Sequence, residues 1–146
     1  MPLAINPNKI VILSGSGISA ESGLPTFRDA NGLWRNLDWR QLASPEGWRA
    51  HPELVLEFYN ERRALAAQAQ PNAAHRALAE LQSKYEVVII TQNVDDLHER
   101  AGSTNVIHLH GELMWARGTS PRRLRRHIGA APIRMGDLCE DGTQLR

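Results

Sequence analysis

Three short apolar runs, each rich in β-branched residues, interrupt an otherwise mixed chain, and each ends in glycines or polar residues. These runs are residues 9–14, 86–91 and 106–109. A short run of this kind, bounded by turn-forming residues, is typical of a buried strand in a parallel sheet. Apolar positions at helical spacing predict helices over residues 53–69 and 72–84, and a shorter helix near residues 95–101. Strands that alternate with helices indicate an α/β domain with a parallel sheet.

The remaining stretches lack a clear period. Residues 23–44 contain one proline, two glycines and two tryptophans, which favours a long loop. Residues 116–146 are rich in Gly, Pro and Arg and predict no strand that closes the domain. The sequence predicts only three strands, which is half of the number in a doubly wound sheet. We therefore expect a first domain over residues 1–115, with a helical insertion at about 35–70, and a separate segment over residues 116–146.

Composition narrows the class of protein without identifying its chemistry. The 146 residues are 42% hydrophobic and 23% charged, an ordinary balance for a globular domain. No apolar run is long enough to span a membrane, no secretory leader is visible, and the one cysteine, Cys139, suits a reducing compartment. We therefore expect a cytoplasmic protein. A net charge of +1 gives no reason to expect a membrane or nucleic acid as partner, and the arginine run between residues 122 and 126 is more typical of a solvated loop.

The loop after the first predicted strand has the pattern G-x-G-x-x-A, formed by Gly15, Gly17 and Ala20. Such glycines permit a tight turn and let backbone N–H groups approach a pyrophosphate, which fits a dinucleotide-binding loop. By itself the pattern is equally consistent with a structural turn. A nicotinamide dehydrogenase would also need an acidic residue at the end of the next strand. Asp29 and Asp38 lie in the predicted loop instead, which argues against hydride transfer.

Polar side chains follow the other two predicted strands directly. Gln92, Asn93 and Asp95 come after the second strand, and His110 comes after the third. Because ligands bind outside the carboxyl ends of the strands in an open α/β sheet, these residues and the glycine loop would line one crevice. Asn and Asp also cap helices, and a lone histidine is more often a packed or solvent-facing residue, which is how we interpret His98 and His108. The joint placement at three strand ends favours a site.

Three motifs in this order resemble those of the sirtuin family. Residues 15–29, GSGISAESGLPTFRD, resemble the signature GAGISAESGIPDFR; residues 91–98, TQNVDDLH, resemble TQNID-x-LH; and residues 108–111, HLHG, resemble the catalytic HG motif. The resemblance covers about residues 9–115. It implies a Rossmann-like parallel sheet of the deoxyhypusine synthase/sirtuin type.

The resemblance also implies a reaction. Sirtuins are NAD-dependent protein-lysine deacylases that transfer the acyl group and release nicotinamide and O-acyl-ADP-ribose, so that NAD is consumed as a co-substrate. Carried over onto this sequence, His110 is the general base, a role that suits an imidazole. The implied NAD-binding residues are Gly15, Ser16, Gly17, Ala20, Glu21, Thr26, Phe27, Arg28, Trp34, Gln92, Asn93, Val94 and Asp95.

A pair of side chains on the first long predicted helix indicates which subgroup of the family the chain resembles. Tyr59 and Arg62 stand three residues apart, on one helix face. They resemble the Tyr-x-x-Arg pair with which sirtuins of the bacterial CobB type recognise acidic acyl groups. The implied substrates are succinyl-lysine and malonyl-lysine, with acetyl-lysine also accepted. The alternative is a solvated arginine beside a partly buried tyrosine, which is common on amphipathic helices.

The sequence departs from the family in two places. Sirtuins commonly carry a zinc module with four cysteines, but here the corresponding positions are Gly118, Pro121, Leu138 and Asp141. One thiol cannot form a Cys₄ site, so we expect no structural zinc and only a remnant of the inserted module. Sirtuins also continue beyond the position of Arg146, so the sheet is expected to be incomplete and the chain truncated. For a truncated chain we expect self-association or a complementing chain. The alternative is a non-catalytic fragment that binds a nucleotide or a partner.

Overall fold

The computed structural model describes residues 6–26, 33–34, 37–38, 42–120 and 124–146. The chain forms two compact units: Met1–Leu24 with Ala69–Glu112, and Pro25–Gln68 with Leu113–Arg146. The domain bounds expected from the sequence, residues 1–115 and 116–146, stay a prediction. No helix among the described residues is long and apolar enough to cross a bilayer.

The first unit is built on a three-stranded parallel sheet. Its strands are β1 (Lys9–Ser14), β4 (Glu86–Thr91) and β5 (Val106–His108), in the order β1-β4-β5. The sheet places β4 in the centre, where Ile12 is in register with Ile89, and Ile90 with Ile107. The predicted α/β class and the three predicted strands are therefore confirmed.

Three helices accompany this sheet. They are α1 (Gly17–Ala20), α4 (Ala73–Leu81) and α5 (Leu97–Arg100). Asn72 begins α4 with a capping box, since its side chain accepts from the Ala74 and His75 N–H groups and the His75 ring accepts from the Asn72 N–H. α4 ends three residues before the predicted Lys84, because residues 82–84 form a turn.

The two faces of the sheet differ in burial. Val87, Ile89 and Thr91 point to a buried face, with 3%, 0% and 0% of their surfaces exposed. Val11 and Leu13 point to the opposite face and are 59% and 68% exposed. Parallel sheets are normally covered on both faces, so this open apolar face is unusual.

The second unit contains two helices and two small antiparallel sheets. The helices are α2 (Pro45–Ala50) and α3 (Pro52–Gln68), and the strand pairs are β2 (Leu33–Trp34) with β3 (Leu37–Asp38) and β6 (Trp115–Arg117) with β7 (Arg125–His127). α3 matches the helix predicted over residues 53–69. One core cluster of this unit joins α3 to the C-terminal segment and consists of Leu56, Ala116, Ile133, Cys139 and Leu145.

Two features of this unit were not predicted. Residues 116–146 were expected to hold no strand that closes the domain, and they contain short strands of a separate sheet, since β7 and most of β6 lie there and Gly118 bridges to Leu145. Strands of three residues pair through backbone hydrogen bonds and are too short to show a hydrophobic alternation. The short helix α2 was not predicted, although Ser44 caps it by accepting from the Gly47 N–H at 3.0 Å and Pro45 occupies its first position.

Candidate active site

The carboxyl ends of the three parallel strands bring three segments of the first unit side by side. Beyond β1 and β4 the ladder continues for one bond, from the Gln92 N–H to the Ser14 carbonyl at 3.0 Å. Beyond β5, the Leu109 N–H donates to the Thr91 carbonyl at 2.9 Å. The glycine loop, the segment Gln92–Asp95 and His110 therefore leave the sheet at one edge.

A buried polar cluster joins the first two of these segments. The Ser19 hydroxyl donates to Asp95 Oδ2 at 3.0 Å and accepts from Asn93 Nδ2 at 3.0 Å. These residues are 1%, 6% and 7% exposed, in the order Ser19, Asp95, Asn93. Asp95 Oδ1 also accepts from the Leu97 N–H at 3.2 Å, so it both caps α5 and belongs to the cluster. Ser19 was not among the predicted residues; its signal was its position inside the first motif.

The glycine loop is open on its outer side. Among the described residues, no atom lies within 4 Å of the position that a Cβ would take at Gly15 or Gly17. The protein itself therefore imposes no steric need for glycine there, and such a need would come from a group that approaches the backbone. Ser16, Ala20 and Glu21 are exposed along the same loop.

His110 lies on the surface of this edge with one ring nitrogen fixed. Its Nδ1 is 3.1 Å from the Gln92 carbonyl oxygen. A carbonyl only accepts, so Nδ1 carries a proton, and in the neutral ring the lone pair that a general base needs is therefore on Nε2. Gly111 follows with a φ of 87°, a left-handed turn that favours glycine.

Two further histidines are packed beneath the sheet edge. His98, predicted to be either packed or solvent-facing, is fully buried, with Nε2 3.0 Å from the Ser14 hydroxyl. Its ring stacks edge-on against that of His75, with 4.9 Å between the centroids. Burial lowers the pKa of both imidazoles, so both are neutral at pH 7.

The proposed acyl-recognition pair belongs to the second unit. Tyr59 and Arg62 both contact Phe58, with ring centroids of Tyr59 and Phe58 5.0 Å apart and the guanidinium carbon 5.4 Å from the Phe58 centroid. Burial raises the pKa of Tyr59, against the opposing effect of the Arg62 charge, so the phenol stays protonated. Arg63, in contrast, is buried and donates to the Leu113 carbonyl at 2.7 Å.

The other predicted nucleotide-binding residues are distributed differently. Val94 is half-buried and Gln92 exposed in the segment after β4. Thr26 and the β2 residue Trp34 lie in the second unit. Phe27 and Arg28 lie outside the described residues. The binding roles of all these residues stay predictions.

The segment that corresponds to the zinc module is filled by other contacts. A Cβ at Gly118 would stand 2.6 Å from Thr143 Oγ1 and 3.2 Å from the Cys139 Cβ. Asp141 accepts hydrogen bonds from the Ser120 hydroxyl and from the Thr143 N–H and hydroxyl. None of the four corresponding positions, Gly118, Pro121, Leu138 and Asp141, has a thiol, so these residues do not fit a Cys₄ zinc site. The described part of the chain contains no group of three or more His, Cys, Asp or Glu residues that could hold a metal.

Comparison with known proteins finds one family model and several relatives that match most of the chain. The Sir2 family model matches residues 15–127. An NAD-dependent protein deacylase of Helicobacter pylori is 55% identical over 137 residues, covering 94% of this chain and 59% of the relative. One of Bacteroides thetaiotaomicron is 47% identical over 142 residues, covering 94% and 61%. The chain thus spans about three fifths of the length of the curated relatives it matches.

Solved structures agree with this similarity. The crystal structure of a Sir2 homolog–NAD complex has a TM-score of 0.85 and 46% identity, covering 94% of this chain and 55% of that chain. A structure described as Sir2 bound to acetylated peptide has a TM-score of 0.75 and 30% identity, covering 96% and 57%.

Proposed function

The chain belongs to the Sir2 family, and from this premise we propose that it acts as an NAD-dependent protein-lysine deacylase. The observation that carries the proposal is the state of His110. Its Nδ1 donates to the Gln92 carbonyl, which leaves Nε2 as the nitrogen that can accept a proton, at the sheet edge that also bears the Ser19–Asn93–Asp95 cluster. A fixed tautomer beside a polar crevice is what general-base chemistry needs.

The residues of the first unit fit NAD as co-substrate. The space beside Gly15 and Gly17 lets a pyrophosphate approach the backbone of the glycine loop, and the Asn93 and Asp95 side chains supply polar groups for a ribose and an amide. When bound, NAD supplies an activated ribose carbon from which nicotinamide leaves. His110 Nε2 then takes the proton of a ribose hydroxyl while Nδ1 stays bonded to Gln92, so the ring need not turn during proton transfer.

Tyr59 and Arg62 support a preference for acidic acyl groups. A guanidinium can bind a carboxylate through two hydrogen bonds, and a protonated phenol can donate a third. The arginine packs on Phe58, which limits its rotamers. Succinyl-lysine and malonyl-lysine on proteins are the proposed substrates, with acetyl-lysine also processed.

We also propose that a second copy or a complementing chain covers the open sheet face. Val11, Leu13 and Ile107 expose 59%, 68% and 47% of their surfaces on that face, and Leu109 beyond β5 is 53% exposed. Covering such a face removes apolar surface from water. The proposed location is the cytoplasm, which suits a single buried thiol, Cys139.

A second candidate function is a nucleotide-binding or interaction module without turnover. It is supported by the same open glycine loop and the Ser19–Asn93–Asp95 cluster, which nucleotide binding without turnover would also use. The two candidate functions differ in one measurable product, because a deacylase releases nicotinamide from NAD and a binding module does not.

The test is nicotinamide release from NAD in the presence of a succinyl-lysine peptide, with the acetyl peptide in parallel. We expect His110→Ala to reduce turnover by about 10²-fold or more, because the base is lost. We expect Arg62→Met to lower turnover of the succinyl peptide by about tenfold to hundredfold, and that of the acetyl peptide much less. Arg49→Met, an exposed arginine on α2, is the control.

The outcomes separate the candidates. A wild-type chain that is folded by circular dichroism, binds NAD and releases no nicotinamide would favour the binding module. Equal losses on both peptides with Arg62→Met would contradict the acyl preference but leave the deacylase proposal intact.

A further inference from the structure

His108, two residues before the proposed base, bridges two elements of the first unit. Its Nδ1 lies 2.8 Å from the Asn93 carbonyl oxygen and its Nε2 lies 2.8 Å from Glu99 Oε1. The His108 side chain is 6% exposed and that of Glu99 is 39% exposed. One imidazole thus links β5 to α5 and to the segment after β4.

The two partners decide the protonation state of this ring. A carbonyl and a carboxylate both only accept, so both ring nitrogens must donate, which requires the imidazolium. Burial works to lower the pKa of His108, but the hydrogen bonds to Glu99 and Asn93 and the charges of Glu99 and Glu112 outweigh it and raise the pKa. Burial also works to raise the pKa of Glu99, yet the hydrogen bond from His108, a backbone hydrogen bond and the charge of His108 lower it. The pair is therefore an ion pair near neutral pH.

The Asn93 backbone is held on both sides as a result. Its N–H donates to Thr91 Oγ1 at 3.1 Å, and its carbonyl accepts from His108. Its side chain donates to Ser19, which in turn donates to Asp95. Any rotation of the Asn93 peptide would move this amide and, through the next two residues, the Asp95 carboxylate.

We propose that the Glu99–His108 ion pair is a positioning device that fixes the Asn93 carbonyl and thereby the Ser19–Asn93–Asp95 cluster. The inference rests on the proposed function for its effect on turnover. His108 does not contact the reacting groups; it acts through Asn93. The two histidines therefore have different roles. His110 is exposed and only its Nδ1 is hydrogen-bonded, so its Nε2 can take up a proton, whereas both ring nitrogens of His108 are hydrogen-bonded within the protein.

The decisive variant is Glu99→Gln, which keeps the size of the side chain and removes its charge. Glu80→Gln, an exposed carboxylate on α4, is the matched control. His108→Gln is the direct variant, but it also replaces a side chain that is only 6% exposed and that makes two hydrogen bonds, so Glu99→Gln is the variant that tests the proposal.

The first readout needs no turnover. In an NMR titration of the full chain, the His108 ring should titrate above the ordinary pKa of about 6.5, and Glu99→Gln should lower that pKa. The Asn93 backbone and side-chain amide resonances should follow the same titration in the wild type and shift in Glu99→Gln at pH 7. Glu80→Gln should leave them in place. If His108 titrates at its ordinary pKa, or if the Asn93 resonances do not follow it, the proposal is overturned.

The second readout uses the nicotinamide assay. Glu99→Gln should raise KM for NAD or lower kcat by about tenfold or more, since small displacements of positioned groups are costly, while KM for the acyl peptide stays unchanged. The activity of the wild type should fall at high pH as His108 loses its proton, and Glu99→Gln should move that fall to lower pH. Equal effects of Glu99→Gln and Glu80→Gln would overturn the proposal. If the wild type releases no nicotinamide but its Asn93 resonances still follow the titration of His108, the result would contradict only the deacylase proposal.

Discussion

The buried histidine pair predicts that acid weakens the fold. His75 and His98 are both 0% exposed, and their stacked rings would repel each other if both were charged. His75 Nδ1 accepts the Asn72 N–H of the capping box, so protonation at that nitrogen would also break a helix cap. His98 Nδ1 and His75 Nε2 have no hydrogen-bond partner among the described residues, so a charge there would be poorly solvated.

The sign and size of the effect follow from the lowered pKa values. Both groups titrate below about 6.5 in the folded state and near 6.5 in the unfolded chain. Their contribution to the free energy of unfolding is therefore complete above pH 6.5 and is lost as the pH falls below it. Between pH 7.5 and 5.5 one such histidine costs at most about 1.4 kcal/mol, and the pair at most about 2.8 kcal/mol. His108 works in the opposite direction, because its raised pKa stabilises the fold below its folded pKa.

Comparison between variants removes the His108 contribution, which all of them share. We would measure urea unfolding by circular dichroism at pH 7.5 and 5.5 for the wild type, His75→Gln and His98→Gln. Each variant should lose up to about 1.4 kcal/mol less than the wild type on acidification. His51→Gln, at an exposed position, is the control and should follow the wild-type curve. An unchanged pH dependence in both buried variants would refute the reasoning.

Three further predictions concern stability. Leu97→Ala removes a fully buried side chain and should lower the free energy of urea unfolding by about 2–5 kcal/mol; a loss below about 1 kcal/mol would contradict the burial of Leu97. Asn72→Ala removes the cap of α4 and its bond to the Ile18 carbonyl at 2.7 Å, and should cost about 1–2 kcal/mol in the same assay, whereas a neutral result would argue against the cap. Asp141→Ala should lower the thermal midpoint because three hydrogen bonds are lost, while EDTA should leave the wild-type midpoint unchanged; a fall with EDTA would mean that a metal holds this segment.

Burial decides which elements the sequence could predict. The strand β4 and the helix α3 were predicted because each buries enough apolar side chains to leave a pattern, whereas β1 was predicted from its run of apolar, β-branched residues although none of those side chains is fully buried. β7 shows the opposite case, since all three of its residues are exposed. Its pairing with β6 rests on backbone hydrogen bonds, which any residue except proline can form. No periodicity in the sequence could have revealed it.

The location of the site was predictable, but its internal contacts were not. The rule that parallel strands present their carboxyl ends at one edge placed the glycine loop, Asn93 and His110 together. The Ser19 hydroxyl acquires its role only by meeting Asp95, 76 positions away along the chain. Neither residue type nor spacing encodes that contact. It depends on how α1 sits at the end of β1, which is a property of the packed sheet.

The His-Leu-His order at the end of β5 has a physical reason that links the fold to the site. The last ladder bond of β4 with β5 is that of the Thr91 carbonyl, which accepts from the Leu109 N–H. The next two carbonyls, of Gln92 and Asn93, have left the ladder and would be costly to leave unsatisfied. His110 donates to the first and His108 to the second. Side chains on the neighbouring strand thus replace the missing backbone donors, and the same two bonds fix the tautomer of one imidazole and the charge of the other. A residue without a donor at position 108 would therefore release the Asn93 carbonyl even if its volume were preserved, which is why charge and hydrogen bonding, more than size, should govern which substitutions this position tolerates.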